Sequence, residues 1–246
     1  MMRRRSLLLA GLIAFLLFLV ALMPARLAVH FIGGGKMLHF GVAEGTIWQA
    51  TIRDVYWNGI PLGNVRLKPG LLAMFTGGFS GHVAFDHKDR NGRALLSANS
   101  GLKITGLSAI TNIYAVVGQQ ALSGSLQISA PQFSFDSAGR CVSGNAKIRS
   151  DILNQAFLRL GFDLPVLEGT ADCQNGELEF RFETGDDNIR ILGNGQWRGG
   201  ARIEASFALH FLQTADISKA MIETLEYAGL RAAADGWQGH LNLDLK

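Results

Sequence analysis

Gly176-Glu-Leu-Glu-Phe-Arg-Phe-Glu183 alternates at every step: Leu178, Phe180 and Phe182 fall on one side, Glu177, Glu179, Arg181 and Glu183 on the other. Successive side chains of a strand point to opposite faces, so the segment is a strand with one dry and one wet face. Ala201 to Phe211 repeats the pattern with Ile203, Ala205, Phe207, Leu209 and Phe211 on one side. So do Leu122–Ile128, which lines up Leu122, Leu126 and Ile128, and the closing Leu241-Asn-Leu-Asp-Leu245. One dry face per strand is the signature of antiparallel pairing. The chain therefore reads as mainly β.

The sharpest local signal is Thr51-Ile-Arg-Asp-Val-Tyr-Trp57 followed by Asn58-Gly59 and Ile60-Pro-Leu-Gly-Asn-Val-Arg-Leu67. Asn-Gly accepts the positive φ angles of a two-residue hairpin turn, so these strands are expected to fold back on each other. Further turns are expected at Asn91-Gly92, Asn175-Gly176, Gly185-Asp-Asp-Asn188, Gly193-Asn-Gly195 and Gly199-Gly200. Helical spacing is clearest in Asp216–Tyr227, with Ile217, Met221, Ile222 and Leu225 in phase and Gly229 as a stop. Ser108–Val117 and Ser150–Leu160 are weaker helix expectations. No low-complexity linker divides residues 26–246, which read as one β-rich domain.

Ahead of that domain, Leu7 to Met23 reads LLLAGLIAFLLFLVALM, with no charged residue, and with its edges reaches the ~20 residues that span a bilayer. Arg3, Arg4 and Arg5 precede it. By the positive-inside rule residues 1–6 form a cytoplasmic tail, residues 7–25 an anchor, and everything beyond is exported. A cleaved signal peptide is the alternative, but the apolar run exceeds the usual ~7–15 residues and lacks a good small-x-small cleavage site. The 246 residues carry 23 Lys and Arg against 20 Asp and Glu; without the three leading arginines the charges balance. The basic surplus is a topology signal, and no Lys/Arg run interleaved with aromatics points to nucleic acid.

Cys141 and Cys173 both lie in the exported part. In an oxidising compartment an even pair is most simply a disulfide, the alternative being two buried thiols. A zinc site is disfavoured, since no Cys-x-x-Cys or paired His lies nearby. The six histidines have no ligating spacing. Gly-x-Ser-x-Gly, His-Glu-x-x-His and Walker motifs are missing. Gly33-Gly-Gly-Lys36 lacks the strand and the Ser/Thr of a phosphate loop. Asp86, Asp89 and Asn91 lack the closing Glu of a calcium loop. The expectation is a non-enzymatic protein without catalytic residues, metal or cofactor. Trp48, Trp57, Trp197 and Trp237 are mostly core positions by their setting in strands, with interface anchoring the competing role.

From Gly45-Thr-Ile-Trp48 onward the chain resembles the type II secretion system protein N family. The resemblance rests on an anchor ending in Pro24-Ala25, Gly41, the hairpin with Gly59 and Gly63, and Val65-Arg-Leu-Lys-Pro69 followed by Leu71-Leu72. It continues through Leu122-Ser-Gly-Ser-Leu126, Cys141, Thr170-Ala-Asp-Cys-Gln-Asn-Gly176 and Gly193-Asn-Gly-Gln196. The family tends to carry Trp where this chain has Arg66, and Gly where it has Ala50. The resemblance implies a single-pass inner-membrane protein whose periplasmic domain binds other secretion components during export of folded proteins across the outer membrane. The family's strand pattern is in turn similar to that of AsmA-like envelope proteins, which implies a curved antiparallel sheet and, as a second function, lipid binding or transfer. For the first function the candidate partner-binding residues are Trp48, Trp57, Asn58, Gly59 and Arg66. The partners would be the inner-membrane platform or the outer-membrane channel, docking by strand addition or on an apolar patch.

Overall fold

The computed structural model describes residues 11–15, 18–19, 21–27, 38–57, 60–70, 79–99, 101–117, 120–137, 140–158, 164–185, 189–197, 202–211, 222–223, 225–226, 229–233 and 236–244. They form fifteen strands in one antiparallel sheet: β1 (Leu38–His39), β2 (Ala43–Thr46), β3 (Gln49–Trp57), β4 (Ile60–Pro69), β5 (Phe79–His87), β6 (Arg90–Ala98), β7 (Leu102–Val117), β8 (Gln120–Phe135), β9 (Cys141–Ser150), β10 (Leu167–Gln174), β11 (Glu177–Gly185), β12 (Ile189–Trp197), β13 (Arg202–Phe211), β14 (Arg231–Ala233) and β15 (Gly236–Asp244). One short helix, α1 (Ile152–Leu158), joins β9 to the segment before β10. From β3 to β13 the order in space follows the order in the chain. It is a meander, the topology that short turns between alternating strands produce.

A single line of cross-strand partners crosses the whole sheet. Ala43 faces Ile52, then come Val65, Phe85, Gly92, Ala109, Ile128, Ile148, Gly169, Phe182, Gly193, Phe207 and Gly239. No polar side chain interrupts it. The adjacent line runs Glu44, Thr51, Arg66, Ala84, Arg93, Ser108, Ser129, Lys147, Thr170, Arg181, Asn194, Ser206 and His240 and is polar at every strand but one. Along these two neighbouring lines dry and wet sides therefore stay in step across all thirteen strands, and each contributes to one continuous apolar side.

That side carries the core. Near the N-terminus Ala43, Ala50, Ile52, Val55 and Val65 bury against Ala25, with Phe40 and Phe85 alongside. Farther on, Leu126, Ile148, Ala171, Phe180, Ile191 and Leu209 pack with Ile152 and Leu153 of α1. The far stretch of sheet also curls. The upper part of β7, beyond its ladder with β6, pairs with β15: Tyr114 with Asp244, Ala115 with Leu243, Val116 with Asn242. The eight strands β7 to β13 and β15 thus wrap around their apolar face, while the path stays open at β1 and β14. Register shifts follow Ile52 in β3, Arg93 in β6 and Ser129 in β8, each beside the apolar line. Bulges bend strands and increase twist, so these are where the sheet acquires its curvature.

Several expectations change. Ser108–Val117 is not a helix but the upper part of β7, paired with β8 along its length. Its Ile110, Thr111, Ile113, Val116 and Val117 are β-branched, and burial alternates, with Ile113 buried between exposed Asn112 and Tyr114. Asn91-Gly92 and Gly193-Asn-Gly195 are not turns but lie inside β6 and β12. Glycine serves there as room for a neighbour: a Cβ on Gly92 would lie 2.4 Å from the Phe85 ring, and one on Gly193 2.6 Å from Phe182. Ser150–Leu160 does contain α1, and Asn175-Gly176 is a turn with φ of 52° and 87°. Of Asp216–Tyr227, residues 222–223 and 225–226 are helical and Gly229 has φ +84°; the rest lies outside the described residues, as do 186–188 and 199–200.

The close approach of α1 to β8 gives a test. A Cβ on Gly124 would meet the Ile152 backbone at 2.5 Å from Cα and 2.8 Å from N. Gly124→Ala should therefore destabilise the protein by about 1–3 kcal/mol, since backbone cannot step aside. Gly70→Ala, where the nearest atom is 3.5 Å away, should stay within about 0.5 kcal/mol in the same urea titration.

Candidate functional site

The first hairpin holds the expected partner-binding residues. Trp57 and Ile60 face each other across a two-residue link. That link is Asn58-Gly59, which lies outside the described residues. Within β3 the ladder slips between Ile52 and Val55, where Asp54 takes φ +54°, a region that Asp tolerates better than most residues. On the outer side the Arg53 amide donates to Val42 O at 2.9 Å, and Gly41 N donates to Arg53 O at 3.0 Å. Arg66 is exposed on the polar face of β4. The sheet's free edges are short, since β1, β2 and β14 have only two, four and three residues. Short edge strands leave little ladder for strand addition.

Trp48 sits in the β2–β3 turn, half-buried, and its indole Nε1–H donates to Ala21 O at 2.9 Å. Ile47 N donates to Met23 O at 3.1 Å, Pro24 bridges Thr46, and Arg26 Nε donates to Ala43 O at 3.1 Å. Ala25 is 1% exposed in the cluster with Ala43 and Ile52. The Gly45-Thr-Ile-Trp48 turn thus grips residues 21–26. Gly45 is needed for its shape, with φ +91° and Gln49 O only 2.3 Å from any added Cβ. This grip was not legible in the sequence, because nothing in the pattern ties Trp48 to a segment 27 residues earlier. Upstream of it Leu12, Ile13, Phe15, Phe18, Leu19 and Leu22 are helical or adjoin helical residues and are 50–64% exposed. Among the described residues no helix is long and apolar enough to cross a membrane.

Cys141 and Cys173 form a disulfide, Cα–Cα 5.4 Å, joining the start of β9 to the end of β10. Cys141 N also donates to Gly176 O at 3.0 Å, so bridge and turn clamp the same corner. At the opposite end of β8, Asp151 Oδ1 accepts from Ser125 N at 2.6 Å and from Ser125 Oγ at 3.0 Å, and Ser150 Oγ donates to Ser125 O at 2.8 Å. These bonds fix α1 over Gly124. No cluster of three or more metal-ligating side chains occurs among the described residues.

Along the wrapped strands lies an open hollow of about 1210 Å³, bounded by residues of all eight. Its lining takes Ile128, Ile148 and Phe182 from the apolar line and, in greater number, residues of the flanking lines, with Lys147, Arg149, Glu168, Arg181 and Glu183 among them. Leu225, Leu230 and Trp237 join the core beside Ile191 and Leu209, so the segment around Leu225 covers part of the apolar side. The exposed Arg149–Glu168 pair, at 3.5 Å, stands at this hollow, and Glu183, paired with Arg190, lines it too.

The architecture is therefore that of a one-sided antiparallel scaffold, built to present two faces. The family model for type II secretion system (T2SS) protein N matches residues 37–239, and the chain belongs to that family. The match runs from just before β1 to Gly239, the last residue of the apolar line. No curated protein and no solved structure matches the chain.

Two measurements check the covalent and anchoring links. Cys173→Ser should lower unfolding free energy by about 3–4 kcal/mol, the loop-closure value for a separation of 32 residues. Urea titration of oxidised wild type against the variant reads this directly. Trp48→Phe keeps the ring but loses the bond to Ala21 O and should cost about 1 kcal/mol. It should also speed proteolysis between residues 21 and 37 without altering the disulfide.

Proposed function

We propose that the protein is an accessory, non-catalytic inner-membrane component of the type II secretion machinery whose periplasmic sheet binds other secretion components. Family membership supports the machinery, and the grip of the Trp48 turn on residues 21–26 is the observation that carries the placement. In this reading residues 1–6 are cytoplasmic, 7–25 cross the inner membrane and 26–246 lie in the periplasm. Apolar side chains exposed around the described helical residues suit lipid, because a helix apolar on all sides must be buried in something apolar. The disulfide suits an oxidising compartment.

The rigid grip holds the first hairpin at a set height and angle above the bilayer. Its polar face, with Arg66 exposed, then points at whatever component stands beside it, and Trp48, Trp57, Asn58 and Gly59 are the further candidate contacts. A polar face, rather than an edge, is the docking element, since the edges are short. The test is a photo-reactive residue at Arg66 or Asn58, irradiated in intact cells and read by mass spectrometry. Adducts to platform or outer-membrane channel proteins are expected from these positions and not from Val142. Adducts equally distributed between Arg66 and Val142, or none to secretion proteins, would contradict the reading.

A further inference from the structure

The charges at the hollow are matched on one flank and unmatched on the other. Arg149 is held by Glu168 at 3.5 Å and Glu183 by Arg190, so both carboxylates of the lining already have cations. The other flank is the polar line, which from Thr51 to His240 carries no carboxylate. Arg66, Arg93, Lys147 and Arg181 lie on it, all exposed. Within the hollow, Lys147 has no ion pair or hydrogen bond among the described residues, and Arg181 reaches Glu179 only at 3.8 Å. Thr170 is the cross-strand partner of both. With strands about 4.8 Å apart, the two cations spring from the sheet roughly 10 Å apart, and Arg66 and Arg93 repeat that spacing farther along the line.

We propose that an acidic polypeptide segment of a partner lies along this line, its carboxylates on Lys147 and Arg181 and its path leading on toward Arg93 and Arg66. The proposal names the chemistry of the partner that the polar face binds, and so rests on the docking reading above. One exposed ion pair contributes little, so recognition needs several cations in a row, which the line supplies. Arg181 offers a planar fork for a carboxylate, and Lys147 a point charge. Asp172 and Glu179, opposite each other one row farther out, repel a carboxylate and keep the segment on the line. A hollow of about 1210 Å³, open to solvent, exceeds the ~300–1,000 Å³ of typical small-molecule sites and suits a length of chain. Gln127, Asn194 and Gln238 line it with amides that can meet peptide groups, and Leu192 and Ala208 give apolar side chains a place. The polar positions of the lining include no aromatic ring on which a nucleic-acid base would stack.

The experiment titrates the full chain, in mild detergent, with a fluorescein-labelled peptide of roughly ten residues in which Glu recurs every third residue among Gly and Leu. Extended, that repeat sets carboxylates about 10 Å apart. Binding is expected, weakening as salt rises, because exposed charges are screened. The same peptide with Gln for Glu should not bind. Lys147→Gln and Arg181→Gln should each weaken binding about threefold and together about tenfold, within the range of exposed ion pairs. Arg140→Gln, at an exposed cation off the line, should leave it unchanged. The double reversal Lys147→Glu, Arg181→Glu should reject the Glu peptide and accept one with Lys in its place. Both side chains are exposed, so these variants should keep the wild-type melting temperature and the Cys141–Cys173 bridge. Equal binding of the Gln peptide, undiminished binding by the folded double Gln variant, or displacement by inorganic phosphate at constant ionic strength would each overturn the proposal. So would salt-sensitive self-association of the chain through the same two cations. Failed titrations beside intact Arg66 crosslinks to secretion proteins sink this proposal alone. Absent crosslinks beside an intact titration sink the secretion partner and leave the acidic-segment site standing.

Discussion

The structure depends on register. Thirteen strands place an apolar or glycine residue on one cross-strand line, and a slip of one residue anywhere would turn every later strand inside out. Short links help to hold that register, notably between β3 and β4 and between β10 and β11. The disulfide fixes it once more, between β9 and β10, at the corner where β10 turns into β11. Bulges in β3, β7 and β8 sit one step from the line and bend the sheet there.

Much of this was legible from alternation alone. The faces of Leu122–Ile128 and of Gly176–Glu183 were readable because their polar and apolar residues alternate strictly, and Phe180 and Arg181 sit as expected. Where glycine did two jobs the reading failed. Asn91-Gly92 and Gly193-Asn-Gly195 carry turn chemistry, yet Gly92 and Gly193 are there because an aromatic ring on the next strand needs their space. Ser108–Val117 failed for another reason: apolar residues on both faces of a long strand blur period two into something helical. The bulge at Asp54 and the grip of Trp48 on Ala21 depend on contacts between distant segments, which no local pattern encodes. Of the candidate site, the placement of Arg66 on the wet face was readable; the hollow was not, because it arises from the curl.

The two faces differ in chemistry. The wet face carries mixed charges and exposed arginines, and the hydrogen bonds from the Trp48 turn tie the first hairpin to residues 21–26. The dry face packs with Ile152, Leu153 and Leu225. Both faces take their shape from how far the strands curl. Curvature is the shared variable.

The most direct measurement is of that curvature. Ala115 and Leu243 lie opposite each other only if the sheet curls until β15 meets β7. The double variant Ala115→Cys, Leu243→Cys, in a chain that keeps Cys141 and Cys173, should bridge spontaneously, since directly opposed antiparallel residues fall within disulfide reach. Mass mapping should find a second disulfide joining positions 115 and 243 beside the native one. Two free thiols at 115 and 243 in a chain with its native bridge intact would contradict the wrapped sheet.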